Sequence, residues 1–509
     1  MLGHNFDGGV VSKLLMGLAL LVGVSVTYGI LLGFYNVFLH PLRSYPGPLL
    51  WRAWRWQHTL STLKGNYPFD SLALHKRYGP VVRVAPDELS YTDSNALKAI
   101  YGHHNPATEG FSEFGKNPME FNKPASGSWN ILTSLNSEDH GRYRKLFSHS
   151  FSERGMREMQ PRIQDFVTQL IYVLKESAGK GWIDMQERYN WTTFDMIGDL
   201  AFGDSFHCLE NQKTSPWIAA IFGNMKAAQF LVAIRHYGLS YFLRYLTPKR
   251  LMELRATNLR YATEKMEKRI EMGPGQGDFF DTAIANSDFE KGTGMTRGEM
   301  TSNASVLVLA GSETTATLLG GTTYLLCKHP DVLKKINDEV REAFKSDEEI
   351  DLLSVSKLDY MLAILDEALR IYPPAPNTGC RVVPKGGAIV AGKWVPGGTC
   401  LRNQPYAANH SPDNFHRPDD FCPERWQASP PADFANDDRA ARVPFSLGPR
   451  NCIGRNLAYA EMRLILAKVL WNFDLELDES RCGSWMESQK IFFLWEKPPL
   501  WVKLTAVKR

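Results

Sequence analysis

The stretch FSLGPRNCIG, residues 445–454, places one cysteine among two glycines, a proline and an arginine, directly ahead of a helical pattern. The nearest other cysteines, Cys422 and Cys482, lie 30 residues away on either side. A local zinc or iron–sulfur site therefore has no neighbouring ligands. Two readings of the lone thiol remain open. One is a buried structural cysteine acting as a small apolar group. The other is a thiolate ligand to a haem iron, which needs a low-dielectric pocket, backbone N–H groups aimed at sulfur and a helix N-terminus to support the charge. The stretch offers a candidate for each need: Phe445 to shield the sulfur, Gly448 for a tight turn, Gly454 to let backbone approach a flat ring, and Arg450 to reach a propionate. The helix that follows carries Leu457, Ala460, Leu464, Ala467 and Trp471 on one apolar stripe.

Taken whole, the spacing Phe-x-x-Gly-x-Arg-x-Cys-x-Gly resembles the haem-binding signature of the cytochrome P-450 superfamily, and every fixed position is met here. The resemblance covers residues 44–503 and implies a mainly α fold with a small β portion. It implies haem b, iron protoporphyrin IX, with Cys452 as the metal ligand and Arg450, Phe445, Gly448 and Gly454 around it. Thiolate ligation pushes electron density toward the iron and favours O–O cleavage.

Three further stretches gain meaning from that resemblance. EALR, Glu367–Arg370, read alone is an i,i+3 ion pair of about 0.2–0.5 kcal/mol. With FCPERW, residues 421–426, it resembles the family's buried cluster in which Arg425 completes the pair, a scaffold for the haem-side core. AGSETT, residues 310–315, sits inside a helix expected from Thr296, whose side chain with Glu299 fits a capping box, to the residues before Pro330. Gly311 and the back-bonding threonines mark a distortion there, or a packing glycine. In the family this position matches the oxygen-binding groove, with Glu313 and Thr314 as catalytic acid and alcohol relaying protons. HGRYR sets His140 and Arg144 on one helix face, where the family contacts a propionate, although His140 also reads as a partly exposed polar residue. Arg381 falls near the family's other propionate arginine, one residue further from the Glu-x-x-Arg helix than in some members.

Composition is that of a globular chain: 44% apolar and 22% charged residues leave ample material for a core, and a net charge of +3 gives no ground for a nucleic-acid partner. The seven cysteines are scattered without a CxxC, which fits reduced thiols and a reducing compartment. Leu14 to Leu39 runs 26 residues without a charge, more than the roughly 20 a bilayer requires. It ends in bulky residues rather than a cleavage site, and Arg43, Arg52 and Arg55 follow it, so it reads as an uncleaved single-pass anchor with the remainder cytosolic. The organisation expected is a short lumenal N-terminus over 1–13, a transmembrane anchor over 14–39, a proline-rich hinge over 40–48 and one catalytic domain over 49–509. A hairpin is expected between Tyr78 and Tyr91, helices from Ser137 to about Pro374, and short β runs after Arg381. The sequons at Asn190, Asn303 and Asn409 read as chance on a cytosolic domain.

The stretches NWTTFDMIGDLAFGDSF and GSETTATLL look most like the filamentous-fungal branch acting in secondary metabolism. What the resemblance implies is an endoplasmic-reticulum monooxygenase that takes electrons from a separate NADPH-cytochrome P-450 reductase, since no dinucleotide-binding unit is visible. It would hydroxylate or epoxidise a small apolar substrate such as a terpenoid or polyketide intermediate. A desaturase or isomerase on the same scaffold is the alternative; the Glu–Thr pair argues for oxygen activation and against a non-catalytic haem sensor. Pocket walls are expected from residues 102–129, 206–242, the helix before Ala310, 376–380 and 492–494, with Phe222, Met225, Phe230 and Phe493 making the ligand apolar.

Overall fold

A computed structural model describes residues 8–508 of the chain; residues 1–7, part of the expected lumenal segment, and residue 509 lie outside the described residues. Helix accounts for 57% and strand for 9%, which makes the fold mainly α. The helices that matter to the site are α1 (Gly8–Phe34), α2 (Trp56–Lys64), α3 (Ser137–Phe147), α4 (Met185–Phe202), α5 (Pro216–His236), α6 (Lys249–Glu271), α7 (Arg297–Lys328), α8 (Asp359–Ile371) and α9 (Arg455–Asn472).

Helix α1 starts ahead of Leu14 and contains Lys13, and it passes into a wider π turn at Tyr35–Leu39. Ser12–Leu39 is long and apolar enough to cross a membrane, with mean hydropathy 2.2 and no part of its most apolar stretch buried against the rest of the protein. Residues 40–48 form turns and extended chain, as prolines that forbid helix require.

Helix α7 begins at a complete capping box: Glu299 N–H donates to Thr296 Oγ1 at 3.2 Å, and Thr296 N–H donates to Glu299 Oε2 at 2.9 Å. It stops at His329, before Pro330. Its length over 32 residues is about 48 Å at 1.5 Å per residue, enough to cross the domain. Helix α4 lies along it. Helix runs unbroken through Gly311, and the expected back-bond is present from Thr314 Oγ1 to the Ala310 carbonyl at 2.6 Å. A Cβ at Gly311 would sit 2.8 Å from Ile197 Cδ1, so this glycine serves the close approach of α4.

A mixed sheet joins β1 (Val81–Ala85), β2 (Glu88–Tyr91), β3 (Gly115–Lys116), β4 (Arg381–Val382) and β5 (Cys400–Asn403) in the order β1-β2-β5-β4-β3. The register sets Lys116 opposite Arg381 and Arg381 opposite Leu401. Near the C-terminus β6 (Lys490–Phe492) and β7 (Leu494–Glu496) form a tight hairpin. Its turn residue, Phe493, has φ +83, a left-handed conformation that costs a bulky side chain on the order of 1–3 kcal/mol.

Candidate active site

The Cys452 loop is held by local bonds. Cys452 N–H donates to the Phe445 carbonyl at 2.8 Å, closing the loop on itself. Gly448 has φ +67, and a Cβ there would lie 2.1 Å from the Tyr101 carbonyl oxygen, so only glycine fits. At Gly454 a Cβ would meet nothing nearer than 3.9 Å, so the protein itself does not demand glycine there. The Phe445 ring packs on Tyr459 at 5.3 Å between centroids. Cys452 is exposed as a residue, while protein crowds around its thiol. That crowding pushes the thiol up from its ordinary value, while the Gly454 backbone and the Arg144 guanidinium act to lower it. The loop runs straight into α9, whose free N–H groups face this end.

Glu313 and Thr314 are not brought into contact. Thr314 is half-buried and its hydroxyl donates to the Ala310 carbonyl at 2.6 Å, on the side where Ala310 is exposed. Glu313 is fully buried and ion-paired with Lys497, which sequence reasoning did not find. Burial pushes the Glu313 carboxyl up, and Lys497 opposes this. Sequence adjacency hides the divergence, because successive side chains leave a helix about 100° apart.

Around the loop lies a cluster rich in cations. Arg450 donates from Nε and Nη2 to Glu113 at 3.0 and 2.7 Å, and from Nη1 to the Ser134 carbonyl at 2.7 Å. Arg144 donates to the Asn451 carbonyl at 2.6 Å. His140 is buried on α3 and is pushed down to about 3 by burial and then by Arg450, Lys116 and Arg144. It is thus neutral, and the partly exposed alternative is set aside. Lys116, facing Arg381 across the sheet, is pushed down to about 6 by burial and by Arg450 and Arg381. Arg381 is buried, and its Nη1 has no hydrogen-bond partner. Glu113 is the carboxylate that faces these groups. Lys116 and Glu113 carry no sequence signal; the Lys116–Arg381 register and the reach of Glu113 to Arg450 arise only in the folded sheet and loop.

Glu367, Arg370 and Arg425 do assemble. Arg370 donates to both Glu367 oxygens at 2.9 and 2.7 Å, Arg425 to Oε1 at 3.1 Å, and Trp426 Nε1 to Oε2 at 2.7 Å. Arg425 also pairs with Asp437, and the spare donors end on the carbonyls of Asn409, Asp420 and His416. All four charged side chains are buried.

A cavity of about 350 Å³ opens along α7 on the N-terminal side of Ala310. Met225 and His236 of α5, Thr301 to Leu309 of α7, Phe121, Gly379 and Phe493 line it. These come from the expected stretches. Phe230 is not among the lining residues, and the Phe222 side chain lies outside the described residues. Helix α2 supplies His58 and Thr59, and α6 supplies Asn258 and Ala262, walls that sequence reasoning missed because neither helix carries a local marker of a pocket.

An exposed cysteine at a helix N-terminus, beside buried cations short of an anion, suits a flat ring that binds iron to sulfur and offers two carboxylates. These features define the haem-thiolate class, and the orphaned Arg381 Nη1 fits such a ligand. The family model for cytochrome P-450 matches residues 46–504, and the chain belongs to that family. It is 50% identical to the averantin hydroxylase of Dothistroma septosporum, over 95% of this chain and 90% of that protein. It is 42% identical to the versicolorin B desaturase of the same organism, over 98% of this chain and 96% of the relative. With the trichothecene C-15 hydroxylase of Fusarium sporotrichioides identity is 43%, over 96% and 98%. The cofactor of the family is protoporphyrin IX haem, its chemistry is monooxygenation, and its members draw electrons from a redox partner.

Proposed function

We propose that this chain inserts one oxygen atom from dioxygen into an apolar secondary metabolite, a polyketide or terpenoid intermediate, by hydroxylation or epoxidation. The observation that carries the reading is the cavity, mostly apolar and running along α7 up to the turn that bears Ala310 and Thr314. The names of the relatives, two hydroxylases among them, support the substrate class.

When bound, the haem supplies the iron at which dioxygen is activated. Cys452 would hold that iron as a thiolate, its charge supported by the Gly454 N–H, Arg144 and the α9 N-terminus. Arg381, Arg450 and Arg144, with Lys116, would hold the propionates, and neutral His140 would offer one of them an N–H. Gly448 and Phe445 keep the loop closed. Thr314, on the open side of α7, would pass protons to the reacting oxygen, and Glu313 would supply them. Glu367, Arg370 and Arg425 would hold the fold beneath. Walls of Met225, Leu309 and Phe493 orient the substrate and exclude water.

Residues 14–39 would anchor the protein in the endoplasmic-reticulum membrane, with 1–13 lumenal, 40–48 as hinge and 49–509 cytosolic. Electrons would come from a separate NADPH-cytochrome P-450 reductase. The test is turnover with that reductase under labelled dioxygen, using polyketide and terpenoid intermediates that shift the haem spin state. The expected product keeps the label, and Cys452→Ser loses the thiolate-type Soret band of the reduced, carbon monoxide-bound protein. Desaturation is the second reading, favoured by the two versicolorin B desaturases at 42% and 44% identity. It consumes dioxygen and leaves the product unlabelled.

A further inference from the structure

The cavity follows one face of α5, where Ile221, Met225, Ala228, Val232 and His236 line it at three- and four-residue spacing. That stripe is about 22 Å long at 1.5 Å per residue, and it is apolar until its last member. His236 lies within electrostatic reach of His58, Arg55, Glu88 and Glu120. Of these, His58 of α2 and Glu120, in the loop after β3, also line the cavity, as does Arg402 of β5.

The charges in this part of the wall are already paired. Arg402 Nε donates to Glu88 Oε1 at 3.0 Å, and its Nη2 pairs with Glu120 Oε1. Arg55 donates to Glu88 Oε2 at 2.8 Å, and the Cys380 N–H donates to Glu120 Oε2 at 2.9 Å. Two carboxylates thus balance two guanidinium groups, while Asp87, which also pairs with Arg55, faces solvent. The imidazoles have no such partners. His58 is 8% exposed, its Nε2 has no hydrogen-bond partner, and Glu88 Oε1 at 3.7 Å is beyond reach. The half-buried His236 ring makes no hydrogen bond or ion pair among the described residues. Polar residues elsewhere in the wall are bonded to each other, Asn130 to Ser302 and Asn258 to Ser305. Burial pushes His58 down to about 3 and also lowers His236, so at neutral pH each ring is uncharged and carries one N–H donor and one lone pair. A buried polar atom without a partner is costly unless something from outside supplies one.

We propose that His236 and His58 form a specificity subsite for an uncharged hydroxyl or carbonyl oxygen of the substrate, so that the ligand is a phenolic polyketide rather than a bare hydrocarbon skeleton or an acid. A phenol both donates and accepts, and it stays uncharged at neutral pH. The paired charges leave no cation among the described residues of this wall to hold an anion, and the α5 stripe takes the apolar remainder. The inference rests on the reading of the cavity as the substrate site of a monooxygenase proposed above.

The test uses full-length holoenzyme and four matched three-ring probes: phenanthren-2-ol, its methyl ether, phenanthrene and phenanthrene-2-carboxylate. Dissociation constants are read from the haem spin-state shift, with equilibrium dialysis for any probe that binds without one. In wild type, phenanthren-2-ol should bind about tenfold tighter than phenanthrene, the methyl ether between them and the carboxylate most weakly. The phenol-to-hydrocarbon ratio should fall to about one in His236→Phe and to about threefold in His58→Phe, and His236→Gln, which keeps a donor and an acceptor, should retain most of it. A residue that merely fills space would move all four constants together. Equal binding of phenol and hydrocarbon by wild type, tightest binding of the carboxylate, or a ratio that survives His236→Phe overturns the proposal, and so does failure of all four probes to bind. Should His58→Phe not fold, the two His236 variants decide. Turnover with reductase under labelled dioxygen separates the two readings. A phenol preference that depends on His236, with unlabelled product, keeps the subsite and removes the monooxygenase reading; labelled product without a phenol preference does the reverse.

Discussion

The Glu367 cluster and the Arg381 cluster are both buried and both built on guanidinium groups, yet they close in different ways. In the first, Glu367 and Asp437 balance Arg370 and Arg425, and backbone carbonyls take the spare donors. In the second, Lys116, Arg381 and Arg450 gather around Glu113 with Arg144 beside His140, one guanidinium nitrogen is orphaned, and Lys116 and His140 are pushed toward neutrality. Taking a charge out of water is repaid only by a well-placed partner. A cluster that balances itself suits the proposed scaffold; one that is short of anions suits the proposed seat for an anion brought from outside. Sequence motifs name arginines in both without distinguishing them, and charge balance does.

The comparison breaks first at Glu367. Glu367→Gln leaves two buried guanidinium groups facing one carboxylate, and should cost about 3–5 kcal/mol of stability, read as a fall in melting temperature whether or not haem is bound. Should the variant melt like wild type, the cluster would not be scaffold. Arg381→Leu should do the reverse. It removes a cation already short of a partner, so the haem-free protein should hold its stability within about 0.5 kcal/mol, while haem loss to an acceptor protein accelerates about 10- to 100-fold. Equal haem retention would take Arg381 out of the propionate seat. Glu113→Gln sharpens the contrast further. It should destabilise the haem-free protein by about 1–3 kcal/mol through the half-paired Arg450, and most of that loss should vanish once haem supplies carboxylates.

The smallest effect is in pH, and the two clusters separate by window. Glu367 is held below its ordinary value of 4.5, first against burial and then by Arg370, so its contribution is complete above 4.5 and is lost as pH falls through the lower folded value. His140 is lowered from 6.5 to about 3, so the unfolded chain takes up a proton first and stability declines as pH falls from 6.5 toward 3. Acid unfolding of His140→Leu should be flatter over that upper window and should keep the step below pH 4.5. An unchanged upper window would mean that His140 is not buried neutral beside these cations.

What the sequence determined by itself lies within a turn or two of chain. The Cys452 N–H closing on Phe445, the capping box of Thr296 and Glu299, and the Glu367–Arg370 pair all depend on partners at most seven residues apart. Backbone geometry places such partners together whatever the rest of the chain does, so motif and spacing suffice. The helix able to cross a membrane is legible for a related reason: an uncharged run longer than a bilayer is a property of composition. Tertiary structure alone decided the rest. Gly311 serves the packing of α4 because Ile197 arrives there, and Arg450 meets Glu113 across 337 residues. Glu313 turns to Lys497 across 184 residues and away from its neighbour Thr314. Which distant side chain fills a given buried place is set by how helices and sheet pack together, and no local spacing encodes that choice.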